Sequence, residues 1–280
     1  MIFHNRKTFF ILLSIVVLIV LFFSNPQSMS MQIVDINPAD TAWMIVASAL
    51  VLLMTPGLAF FYGGMVSKKN VISTMLQSFI ALGVISLLWV LCGFSLAFGD
   101  TINGWGIIGN PSQYAFLNNL DANNSNIPYL LFALFQLKFA IITPAIITGS
   151  FAERIRFRSY LLFMILFCIL IYTPLAHMTW AGDGLFANLG DIIGIKGYEG
   201  LHVLDFAGGT VVHMSAGLAA LAGALYLGKR KKEKTEPANI PFIILGTGLL
   251  WFGWFGFNAG SALAANYDAV VAFANTNIAS

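Results

Sequence analysis

The stretch LDFAGGTVVHMSAGLAALAGALYLG (204–228) is apolar over most of its length and is followed at once by the basic run KRKKEK (229–234). Its apolar residues are continuous rather than alternating, and the stretch is too long for a strand, so the pattern predicts a helix. A helix needs about 20 apolar residues to cross the hydrocarbon core of a bilayer. The stretch therefore predicts a membrane span that ends at a charged loop.

Five further complete segments have the same character, and another begins near residue 268; the five are 41–66, 72–98, 129–150, 159–178 and 240–262. Of the 280 residues, 58% are hydrophobic and only 9% are charged, whereas a soluble domain carries about 25% charged residues. Only helices and closed barrels can cross lipid. The sequence predicts an all-α, polytopic membrane helix bundle, and because its last segment is unfinished at Ser280, we expect the natural chain to continue.

The loops indicate how the bundle is oriented. Ten of the fourteen Lys and Arg residues follow the first, third and fifth segments: Lys68, Lys69, Arg154, Arg156, Arg158, Lys229, Arg230, Lys231, Lys232 and Lys234. The intervening loops, 99–128 and 179–203, hold five acidic residues and a single Lys196. Basic loops face the cytoplasm. We therefore expect the mature N-terminus to lie outside.

The first 30 residues resemble a targeting segment. Arg6 and Lys7 precede an apolar run at 9–23, and small residues follow it up to Ser30, which is typical of a secretory signal peptide. We predict cleavage near Ser30, with an uncleaved anchor as the alternative, so that 31–280 forms the mature membrane domain. The two cysteines, Cys92 and Cys168, lie in apolar runs and are interpreted as buried hydrophobic residues.

Ionisable residues inside spans are costly and are functional candidates. His213 lies eight residues after Asp205, or roughly 12 Å along a helix that begins near residue 204. A neutral imidazole can donate and accept hydrogen bonds, which suits the passage of a small amine; the alternative is a histidine bonded between packed helices. Asp205 is placed to cap the helix or to attract cations, and the two roles are compatible.

Several aromatic and polar residues are expected at the same outer level, although each could serve packing alone. Trp180 ends the fourth segment, Phe257 and Ser261 lie near the end of the sixth, and Phe139 lies about three turns into the third. Aromatic faces attract cations by about 1–2 kcal/mol each, so the set indicates a cation vestibule. Lys138 is expected to pair, snorkel or meet a neighbouring subunit.

The remaining histidines, His177 and His202, are interpreted as structural residues. Neither has cysteines or carboxylates at the spacing of a metal site, so we expect neither metal nor cofactor. No basic face suited to nucleic acid is present.

From DFAGGTVVH (205–213) outward, the sequence resembles the ammonium transporter (Amt/Mep/Rh) family, and specifically its bacterial Amt branch. Four further blocks match in the same order: TPGLAFFYGGMVSKKNV (55–71), ITGSFAERIRF (147–157), PLAHMTW (174–180) and GWFGFNAGSA (253–262). Together the matches extend over about 40–280. The resemblance implies a homotrimer with one pore per subunit, formed by eleven spans in an inverted repeat, of which this chain holds about seven.

The resemblance also implies roles for single residues. Trp180, Ser261 and Phe139, with the Ala207 carbonyl nearby, would bind ammonium on the outside, and Phe139 and Phe257 would form the gate below. Asp205 would support the site, and His213 would be the first of two pore histidines. A PII-type regulator on the cytoplasmic face is a possible partner.

Two other functions compete with transport. The same domain could serve as an ammonium sensor attached to a signalling module, and the sequence up to Ser280 does not decide between them. An intramembrane enzyme using His213 and Asp205 would need a nucleophile at matched depth, and none is found. We therefore predict a transporter and not an enzyme.

Overall fold

The computed structural model describes residues 36–120, 126–194, 196–230 and 236–280. Throughout these ranges the chain is helical apart from loops and one isolated bridge between Thr101 and Gly109. The helices are α1 (Pro38–Met65), α2 (Lys68–Phe98), α3 (Tyr129–Phe151), α4 (Phe157–Trp180), the short α5 (Leu189–Ile193), α6 (Gly209–Leu227), α7 (Ile240–Ala262) and α8 (Tyr267–Ala279). The predicted signal peptide lies outside the described residues.

Within the described ranges, six helices are long and apolar enough to cross a membrane: α1, α2, α3, α4, α6 and α7. They correspond to the six complete segments of the sequence. The predicted class, an all-α polytopic membrane bundle, is confirmed. The segment that begins near residue 268 forms α8.

Asparagine side chains fix the starts of three helices. Asn37 accepts hydrogen bonds from the backbone N–H groups of Ala39 and Asp40 at the start of α1. Asn239 and Asn266 do the same once each for α7 and α8. A side-chain oxygen at this position satisfies N–H groups that have no partner within the helix. The helix boundaries therefore follow local sequence as well as hydropathy.

The bundle is organised around α3, the most buried of the six spans. It packs against α1, α2 and α6, and α1 packs most extensively against α7. The contact between α1 and α7 is very close at Gly246, where a Cβ atom would come within 2.4 Å of the Phe61 backbone nitrogen and 2.6 Å of the Gly57 carbonyl oxygen. Small residues permit such close approach of helices in membranes.

Four spans contain a short π-helical segment that hydropathy does not reveal: Trp89–Gly93, Cys168–Tyr172, Gly209–Met214 and Phe255–Ala259. An extra residue in a helical turn changes the direction in which the following side chains point, and such segments are frequent at functional sites. Two of them hold His213 and Phe257.

The expectation that the fifth span begins near Leu204 is wrong. Residues 201–208 are not helical, Gly208 has a φ of 86°, and α6 begins at Gly209. Asp205 therefore precedes the helix instead of lying in its first turn. The 12 Å depth predicted for His213 assumed helical rise over all eight residues, and that rise applies only from Gly209 onward.

Candidate functional site

One end of the candidate site is formed by Trp180, the last residue of α4. Its indole Nε1 donates a hydrogen bond to the Asp205 carbonyl oxygen at 3.0 Å. Its ring meets Phe139 edge to face, with centroids 6.2 Å apart and planes at 86°. The indole is thus held by the segment before α6 on one side and by α3 on the other.

Asp205 holds the start of α6 from outside the helix. One carboxylate oxygen accepts from the N–H groups of Gly208 and Gly209, and the other accepts from Thr210 and Val211 at 2.9 Å each. A carboxylate in this position satisfies unpaired donors and complements the positive end of the helix dipole. The structure therefore gives Asp205 the capping role that the sequence allowed.

Ser261 and Ala207 are the other two residues predicted for this end of the site. The Ser261 hydroxyl donates to the Phe257 carbonyl oxygen at 2.8 Å. Because its hydrogen is committed to that bond, its oxygen is left as an acceptor for a cationic donor. Ala207, in the non-helical segment between Asp205 and Gly208, is partly buried against the core.

Beyond Trp180, two phenylalanines pack against each other. The rings of Phe139 and Phe257 lie 4.3 Å apart, and each side chain is only 1% exposed. The Thr143 hydroxyl bonds the Phe139 carbonyl at 2.6 Å, and Phe135 contacts the Phe139 ring at 4.8 Å. The two rings are therefore buried and tightly packed.

His213 follows Phe257 as the next ring in this row. Its ring is 5.7 Å from Phe257 and 6.2 Å from Trp254, which is nearly parallel to it at 23°. A cavity of about 480 Å³ is bordered by these three side chains and, among others, by Ile142 and Ile146. A Cβ atom added at Gly209 or Gly217 would meet nothing within 4 Å, so the helix surface around His213 is bare.

Other candidates lie apart from this row of rings. Lys138 is only partly buried, whereas its neighbour Phe139 is fully buried, so the two side chains leave α3 in different directions. His202 is exposed. In the described ranges, no group of three or more His, Cys, Asp or Glu residues could hold a metal ion.

Sequence reasoning missed Trp254, which borders the cavity beside His213 and also contacts Phe257 at 6.1 Å. Trp254 and Phe257 are three residues apart and so share a helix face. That spacing was the available signal, but it is weak in a segment with several aromatic residues.

Comparison with known proteins places this geometry in a family. The model of the Ammonium Transporter Family matches residues 42–280. An ammonium transporter of Aquifex aeolicus is 49% identical over 87% of this chain and 55% of its own length, and one of Bacillus subtilis is 47% identical over 86% of the chain and 56% of its length. The chain thus spans about half the length of the curated relatives it matches.

Solved structures agree with these matches. Mep2 from Candida albicans superposes with a TM-score of 0.75 at 35% identity, covering 88% of this chain and 53% of that one. A structure described as a Sensor Amt Protein gives a TM-score of 0.74 at 31% identity, covering 86% of this chain and 59% of that one. With the family model matching most of its length, this chain belongs to the Ammonium Transporter Family.

Proposed function

We propose that the protein transports ammonium, or its neutral form ammonia, across a membrane along the row formed by Trp180, Phe139, Phe257 and His213. The observation that carries this proposal is the order of these side chains: a hydrogen-bonded indole, a closed pair of phenyl rings, and then an imidazole at an apolar cavity. Relatives named ammonium transporters have 47–49% identity to the chain.

Recruitment takes place at the outer end. The ring of Trp180 attracts the cation by its π face. The Ser261 oxygen, with its own hydrogen bonded to Phe257, and the Ala207 carbonyl accept hydrogen bonds from the ammonium ion. Asp205 supports this arrangement by capping α6 and by offering its carbonyl to Trp180.

The gate selects the neutral species. Phe139 and Phe257 leave no polar group between their rings, so a bare ion that passed them would lose its hydration without compensation. Transient displacement of the rings admits ammonia after the ion has given up its proton near the gate. The proton returns to water outside in neutral transport and follows separately in electrogenic transport. In the cavity beyond, His213 supplies both a donor and an acceptor to ammonia.

The assembly and location of the whole protein are part of the proposal. We place it in a bacterial inner membrane as a homotrimer with a pore in each subunit, with a signal peptide at 1–30 and the mature N-terminus outside. The full pore has eleven spans in an inverted repeat, with a second histidine beyond this chain. A PII-type regulator on the cytoplasmic face is a candidate partner.

The test is ammonium-evoked current and ammonia flux through lipid bilayers that carry the full-length protein, beside the variant His213→Ala. A saturable current that the substitution alters or abolishes supports electrogenic transport through this pore. Ammonia flux without current supports transport of the neutral species alone.

Sensing is the second candidate, favoured by the likeness to the Sensor Amt Protein. Tight ammonium binding without current or flux would overturn transport in favour of sensing.

A further inference from the structure

His177 is fully buried in the last turn of α4, three residues before Trp180. Its Nδ1 lies 3.2 Å from the carbonyl oxygen of Ala97 in the last turn of α2. Its Nε2 lies 2.6 Å from the hydroxyl oxygen of Thr101 in the loop that follows α2. One imidazole therefore joins the outer ends of two spans.

The chemistry of the partners fixes the direction of these bonds. The Ala97 carbonyl can only accept, so Nδ1 carries the hydrogen, and in the neutral ring Nε2 accepts from the Thr101 hydroxyl. The Thr101 backbone N–H donates to a carboxylate oxygen of Asp183 at 2.6 Å, and the other carboxylate oxygen lies 3.7 Å from Nε2. Asp183 belongs to the loop after α4, so the network closes on the helix that carries His177.

Backbone hydrogen bonds also hold the chain around this network. Ala181 donates to the His177 carbonyl, and Phe186 and Ala187 both donate to the Met178 carbonyl. The final carbonyl groups of a helix have no partners within it and are prone to fraying. Here the loop and the His177 side chain hold that last turn, which is the turn from which the Trp180 indole projects.

We propose that His177, Thr101 and Asp183 form a positioning cluster that sets the ammonium affinity of the outer site by fixing the last turn of α4 and, with it, the indole of Trp180. The cluster itself does not touch the substrate. This inference rests on the proposed function, because it assigns the cluster an effect on ammonium binding at Trp180.

The test measures the half-saturation concentration for ammonium and the maximal transport rate of the full-length protein in proteoliposomes. Asp183→Ala is the main variant because the side chain is 49% exposed and its removal leaves the core intact. Asp191→Ala is the matched control, since it removes the same charge from an exposed position in α5, within the same connection between α4 and α6. Trp180→Leu reports on the outer site directly.

Asp183→Ala is expected to raise the half-saturation concentration about threefold to tenfold, as loss of a single hydrogen-bonded partner does, with the maximal rate retained. Asp183→Asn keeps an acceptor for the Thr101 N–H, and its half-saturation concentration is expected to lie nearer that of the unsubstituted protein. His177→Asn preserves a donor toward Ala97 but loses the contact with Thr101, and it is expected to resemble Asp183→Ala. A purely structural role would instead lower the maximal rate with the amount of folded protein.

The outcomes distinguish a failure of the positioning role from a failure of the outer-site assignment. If Trp180→Leu raises the half-saturation concentration and Asp183→Ala behaves like Asp191→Ala, the positioning role is overturned while the outer site stands. If Trp180→Leu has no effect, the outer-site assignment fails and the positioning role falls with it.

Discussion

At the scale of single residues, Asp205 carries more hydrogen bonds than any other site candidate described above, with four backbone N–H groups bound to one carboxylate. Asp205→Ala is expected to lower the stability of the protein by at least about 2 kcal/mol, because it removes a helix cap and leaves several donors unpaired. Asp205→Asn retains part of the cap, and its stability is expected to lie between that of Asp205→Ala and that of the unsubstituted protein.

Thermal unfolding of the detergent-solubilised protein measures this effect. Asp268→Ala is the control, because Asp268 also lies near a helix start, in the first turn of α8, but is exposed there while Asn266 provides the cap. Equal stability of Asp205→Ala and the control would contradict a capping role.

At the scale of helices, the crossing of α1 and α7 depends on glycine. Gly246→Ala is expected to destabilise the protein by about 1–3 kcal/mol or more, since the new methyl group would meet backbone atoms that cannot rotate away. Gly248→Ala, two residues along the same helix, has nothing within 4 Å of its new Cβ atom and is expected to cause no loss. Comparable unfolding temperatures for the two variants would refute the close contact.

Glu153 joins three elements on the basic-loop side of the bundle. One carboxylate oxygen accepts from the Ser67 N–H at 2.9 Å, from the Ser67 hydroxyl and from the Asn70 amide at 2.9 Å, and Arg230 donates to the other at 3.2 Å. Burial by itself raises the pKa of Glu153, but these hydrogen bonds and the Arg230 charge outweigh it and lower the pKa from 4.5 to about 2.

The lowered pKa predicts how stability depends on pH. The ionised Glu153 stabilises the folded state fully above its unfolded pKa of 4.5, and this contribution is lost as pH falls through about 2. Glu153→Gln is therefore expected to be less stable than the unsubstituted protein near neutral pH, with the difference shrinking as the pH falls below 4.5. Unfolding temperatures of both proteins over that pH range measure the difference in stability, with Glu236→Gln at an exposed position as the control. A stability difference that does not change with pH would contradict a contribution from the Glu153 charge.

At the scale of the whole molecule, the charge pattern predicts the orientation of the bundle. In a protein with both native cysteines replaced, a cysteine introduced as Ser112→Cys in the loop after α2 is expected to react with a membrane-impermeant maleimide in intact cells. Lys69→Cys, near the start of α2 on the basic side of the bundle, is expected to react only after the membrane is opened, because basic loops face the cytoplasm. Both positions are exposed, and the reverse labelling would invert the topology.

By itself, the sequence determined the spans and their number, because lipid requires long, continuous apolar helices whatever their packing. It also marked the candidate residues, since a histidine or carboxylate inside such runs is costly enough to stand out. The ordered motifs around DFAGGTVVH pointed to the family that the comparisons show. These are properties of composition and local pattern, and each can be read without knowing which helices are neighbours.

Only the tertiary structure decided where α6 begins, which ring stacks beside His213, and which groups His177 contacts. Asp205 draws four N–H groups onto one carboxylate, which moves the helix start to Gly209 and leaves residues 205–208 outside it. Trp254 reaches His213 because the fold brings these residues of α7 and α6 together, with ring centroids 6.2 Å apart. His177 bonds Ala97, which is 80 positions away in the chain. Such contacts depend on how distant segments pack, and the hydropathy of a segment does not indicate which other segments it will contact.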